Sequence, residues 1–174
     1  EPAAGKFYRA QIRNGIGGTV VCDVNTSVLT SGGATTFTEQ SSNAATVTIN
    51  RGTSGRKSVA VVGGSVWLFG TDDYMQIADN ALVDFSDTQS FTVLAITRLH
   101  STIVVNTRLV DKMDSSALNG WGLFLDATPR AQATMNGTSY LATPTSGTIT
   151  LGSMNILGMQ RDASAPNLRG LLNT

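Results

Sequence analysis

From Ala44 onward, short runs that suit β-strands recur with turn residues between them, and no apolar stripe keeps a helical period. Ala45-Thr46-Val47-Thr48-Ile49 alternates apolar and polar side chains, which puts them on opposite faces of an extended chain. Further strands are expected at Val59–Val62, Val66–Phe69, Tyr74–Ile77, Thr92–Leu99, Arg108–Lys112, Trp121–Asp126 and Ala131–Met135. Thr148–Leu151, Ile156–Arg161 and Leu168–Leu172 complete the series, while Asn80–Phe85 has room for one helical turn. Turn signals at roughly eight- to twelve-residue spacing between such runs indicate an all-β sandwich. Phe91, Val93, Ala95 and Ile96 are the expected core of its longest strand, with Trp67 or Trp121 against them.

The N-terminal stretch reads as a hairpin. Phe7–Arg13 and Gly18–Val24 are strand-like, and Asn14-Gly15 tolerates the positive φ of a tight turn. Between Asn25 and Asn43 there is little bulk beyond Val28, Leu29 and Phe37, the composition of a linker or edge loop.

Composition narrows the function. Only 14% of residues are charged, against about a quarter in an average globular protein, and lysine plus arginine balance aspartate plus glutamate at 12 each. A chain without a basic stripe lacks the electrostatic driver of nucleic-acid binding. Its neutral, weakly self-repelling surface suits an assembly. No apolar run is long enough for a membrane span. Cys22 stands alone in Val20-Val21-Cys22-Asp23-Val24 and reads as a buried thiol. His100 is the sole histidine and has no neighbouring ligand for zinc. Glu1 and Glu39 are the only glutamates and lie far from any strand with paired acids, so the two flanking carboxylates of a glycosidase are not expected. Gly15-Ile16-Gly17-Gly18 lies between strands, which favours a hairpin turn over a phosphate loop.

Five landmarks occur in order: Gly70-Thr71-Asp72-Asp73-Tyr74, Ser90-Phe91-Thr92-Val93, Arg108-Leu109-Val110-Asp111-Lys112, Gly120-Trp121-Gly122-Leu123 and Asn155-Ile156-Leu157-Gly158. Together they resemble a laminin-G-like, concanavalin-A-like jelly roll. They depart from it at Phe69, where that family often has aspartate. Tyr8-Arg9-Ala10-Gln11-Ile12 through Gly17-Gly18-Thr19-Val20-Val21 is similar to the closing strands of such modules in minor tail proteins of actinobacterial phages. The resemblance implies an all-β, two-sheet antiparallel jelly-roll sandwich over residues 44–174, incomplete at its C-terminal end. It makes 26–43 a linker and 1–25 the closing hairpin of a preceding module. It further implies a non-enzymatic structural or adhesion module of a virion, in contact with other tail proteins, present as a homo-oligomer and directed at a host cell-surface glycan. The alternative is a secreted, extracellular lectin-like module.

The candidate sites follow from these landmarks. Asp72, Asp73 and Asn119 can bond sugar hydroxyls, and Trp121, flanked by glycines, can cover a sugar face. Core packing is the first reading of Trp121, and backbone capping that of the aspartates. Asp72, Asp73, Asp111 and Asp114 would supply oxygens for calcium if their loops converged. No other cofactor is expected.

Overall fold

The structure, a computed structural model, describes residues 5–53, 58–68, 73–86, 88–100, 107–113, 119–125, 130–136, 138–141, 149–164 and 167–172. Among these, the regular structure is mostly antiparallel β-sheet, and its two helical pieces are single 3-10 turns at Thr26–Val28 and Ala81–Val83. No described helix is long and apolar enough to cross a membrane.

The first strand organises the molecule. β1 (Gly5–Asn14) turns at Asn14-Gly15, with Gly15 at φ +94°, and returns as β2 (Thr19–Asn25). Along its other edge, β1 pairs with β8 (Phe91–Leu99), from Gly5 opposite Leu99 to Asn14 opposite Phe91. The edge toward β2 is shared. β2 covers Arg9–Asn14, and β6 (Ser65–Leu68) covers Gly5–Phe7. Tyr8 falls where both ladders skip, and its carbonyl accepts from the buried Thr26 hydroxyl at 2.7 Å. A side chain thereby takes over a backbone acceptor that the ladders leave behind.

Outward from β8 come β13 (Met154–Asp162) and β14 (Asn167–Leu172), and beyond β6 lies β5 (Val59–Val61). Two smaller sheets accompany this seven-stranded one. The four-stranded sheet runs β12 (Thr138–Leu141), β11 (Ala131–Met135), β10 (Gly120–Leu125), β9 (Thr107–Met113). The three-stranded sheet runs β3 (Thr36–Thr38), β4 (Thr46–Asn50), β7 (Tyr74–Ile77).

Alternation along the strands builds the core. Phe91, Val93 and Ala95 of β8 point inward beside Leu157 and Met159 of β13, and they meet Trp121, Leu123 and Leu125 of β10. Ile96, on the opposite face of β8, is only half-buried. A second, smaller cluster joins Leu29, Ile49, Ala60 and Val66, and Leu68 and Met75 pack against both.

Two expectations are corrected. The N-terminal hairpin is not a separate closing element, because β1 lies at the heart of the sheet formed by strands after residue 44. Residues 26–43, expected to be a linker or edge loop, are also built into the fold. They carry a 3-10 turn, β3, and the buried Thr26, Leu29 and Glu39. Thr148, at the start of an expected strand, lies outside the described residues, and Ile149–Leu151 is not strand.

Candidate functional site

β7 and β9 each end a sheet, and a cleft of about 1060 Å³ is lined by both. All four residues of β7 and all of Arg108–Met113 line it, so it runs along both strands. Its apolar lining includes Phe7, Ala10 and Ile12 of β1 with Cys22 and Val24 of β2. Most of the segment Ala78–Ser86, all but Ala81 and Leu82, and the start of β10 also line it.

That segment is anchored from several sides. Asn80 caps the 3-10 turn by accepting from the Leu82 amide at 2.9 Å. Lys112 Nζ is ion-paired with Asp79 at 2.7 Å and with Asp84. Phe85 stacks on Phe91 with ring centres 4.5 Å apart. The Lys112 hydrogen bond holds the Asp79 carboxyl below its ordinary range, assisted by the lysine's charge and the Asn80 backbone, with slight burial opposing.

The expected site residues divide. Asp73, Asp111, Asn119 and Trp121 all line this cleft. Trp121 is nevertheless 1% exposed: its ring packs against Phe91 and Phe85, and its Nε1 donates to the Val83 carbonyl at 2.9 Å. It is a core residue, and the expectation of an indole lying open to a sugar is corrected. The sheet interior suits it because the ring packs beside Phe85 and Phe91 while its N–H is satisfied by the Val83 carbonyl. Asp73 is fully buried, and its Oδ1 accepts from the Gly52 amide at 2.6 Å, tying the start of β7 to the loop after β4. Asp111 accepts from Arg108 at 2.7 Å. Asn119 is exposed. Asp72 and Asp114 lie outside the described residues. Among the described residues, no three of histidine, cysteine, aspartate and glutamate gather to hold a metal ion, so Asp73 and Asp111 do not form a calcium cage with described partners.

Two features escaped sequence reasoning. Tyr74 stands 47% exposed on the cleft wall, the aromatic face that Trp121 does not offer. Alternation along Tyr74-Met75-Gln76-Ile77 carries that signal, since Met75 and Ile77 take the inward side. Glu39, buried, accepts from the Asp23 amide, the Ser41 amide and hydroxyl, and the Ala45 amide. It clasps the loop after β3 onto β2, and no local motif announces it. The Cys22 thiol is pushed up to about 12 by burial and then by the charges of Glu39 and Asp23, which makes it a poor nucleophile.

No known family model, curated protein sequence or solved structure matches the chain.

Proposed function

We propose that the chain is a non-enzymatic structural and adhesion module of a phage virion, of the minor-tail-protein kind, on a laminin-G-like jelly roll. The ordered landmarks from Gly70 to Gly158 support this reading. The observation that carries the non-enzymatic part is the state of the cleft's carboxylates. Asp79 and Asp84 share Lys112, Asp111 holds Arg108, and Asp73 holds the Gly52 amide. Such groups organise walls; an acid poised to give up a proton needs a neighbourhood that disfavours its charge. Function on this reading is geometric: a rigid β framework presents the cleft, and many copies on one particle turn weak contacts into avidity. Antiserum against the purified chain should label tails in electron micrographs of virions from the source. Particles that carry no label, or sustained release of sugar from a polysaccharide panel by the pure chain, would overturn the proposal.

A second reading, a secreted lectin-like module, is favoured by exposed Tyr74 beside exposed Gln76 on the cleft wall. A flat aromatic flanked by an amide suits the apolar face and hydroxyl rim of a sugar. A multimerised chain should then bind on a glycan array, and Tyr74→Ala should abolish the signal while the fold survives. Binding unchanged by that substitution would remove Tyr74 from the site.

A further inference from the structure

We propose that the cleft is a slot for one extended polypeptide strand of another protein, bonded to β7 on one side and β9 on the other. This deepens the assembly reading above and rests on it for the partner being a protein. Each strand uses one edge, β7 toward β4 and β9 toward β10, and among the described residues neither outer edge pairs with another strand. An unpaired edge presents alternating N–H and C=O groups that only another backbone can match in register, and neither strand carries proline to blunt it.

Direction fits as well. Lys112, next to last in β9, is ion-paired with Asp79, two residues past the end of β7. Both strands therefore finish at the same end of the cleft. A strand running the opposite way between them would be antiparallel to each and would join the three- and four-stranded sheets into one.

The lining selects the occupant's side chains. Met75 and Ile77 of β7 and Leu109 and Val110 of β9 pack on the main core yet stay half-buried. Ala10, Ile12 and Val24 add apolar lining. Alternate apolar residues on an inserted strand would complete that burial. Charge contributes little. Arg108 and Asp111 satisfy each other, Lys112 satisfies Asp79 and Asp84, and Lys6 lies 4.5 Å over the Trp67 ring. The preferred segment is uncharged where it enters, about five residues long to match the walls, and recognised mainly through its backbone.

Selection of a displayed random-peptide library against the immobilised chain tests this. Enriched peptides should alternate apolar and polar residues. On binding they should slow exchange of the amides of β7 and β9 that are not bonded to β4 and β10. N-methylation of peptide amides at alternate positions should weaken binding about tenfold or more, while the protein itself stays untouched. Absence of any enriched alternating sequence would overturn the proposal. So would binding that leaves those amides unprotected or is indifferent to N-methylation, or a dimer in solution whose β7 and β9 amides are already protected. Labelled virion tails with no strand binding would remove the slot alone, and strand binding without labelled tails would remove the virion assignment alone.

Discussion

At Glu39 a carboxylate with 1% exposure accepts four hydrogen bonds from Asp23, Ser41 and Ala45. Burial alone would raise its pKa, but the bonds from Ser41, Asp23 and Ala45 outweigh it, and the pKa lies below the ordinary glutamate value. The ionised form is thus the one the fold favours. Its stabilisation is fully present above the unfolded-state pKa and is lost as pH falls through the lower folded value. Glu39→Gln turns amide hydrogens toward amide donors and should cost about 1–3 kcal/mol in urea titrations at neutral pH. The variant should also lose the steepening of stability with pH in the acidic window where the parent shows it. Equal stability of the two proteins at neutral pH would remove Glu39 as a clasp. Cys22, next in the chain to Asp23, whose amide donates to Glu39, gives a second test. With its thiol pushed up to about 12, it should resist iodoacetamide at mildly alkaline pH until denaturant is added. Prompt labelling of the native chain would show that the side chain is accessible. Cys22 was legible as a buried thiol because its neighbours are apolar, whereas the donors to Glu39 come partly from β2, sixteen residues away.

Strands were the most legible elements, because a period of two is local. Tyr74–Ile77 and Ala131–Met135 have the bounds their alternation implies. β3, a three-residue strand in a threonine-rich stretch, was not legible: its only apolar residue is Phe37, and its identity comes from pairing with β4. Pairing also decides the N-terminal hairpin. Asn14-Gly15 announces the turn but says nothing about what lies along the far edge of β1, and that edge belongs to β8, far along the chain. A fragment spanning residues 44–174 should therefore fail to fold alone. Without β1, the inner edge of β8 opens to water, β6 loses its partner at Gly5–Phe7, and Ala10 and Ile12 leave the core. Far-ultraviolet circular dichroism and amide dispersion of that fragment, beside the full chain, measure the effect. A well-dispersed, β-rich fragment with a cooperative melt would restore the boundary between the two segments.

Across the whole molecule, the candidate site was legible as a set of turns but not as an orientation. Asp73, Asp111, Asn119 and Trp121 do line one cleft, yet whether an indole faces in or out depends on which side of β10 meets β8, and that is settled by the packing of sheets. The same packing governs cooperativity. The main core runs without interruption through β1, β8, β13, β10 and β11, and the smaller cluster under β4 shares Leu68 and Met75 with it. Phe91 stands at the centre: fully buried, stacked on Phe85 and 5.9 Å from the Trp121 ring. Removing its side chain should cost about 3–5 kcal/mol, since the sheets around it are too constrained to close the cavity. Because the clusters share residues, the loss should lower one common transition and not split it. Urea unfolding of Phe91→Ala, followed by tryptophan fluorescence and far-ultraviolet circular dichroism, should give coincident midpoints below that of the parent. Midpoints that separate would mean that the β3–β4–β7 sheet unfolds on its own, and a midpoint equal to the parent's would remove Phe91 from the core.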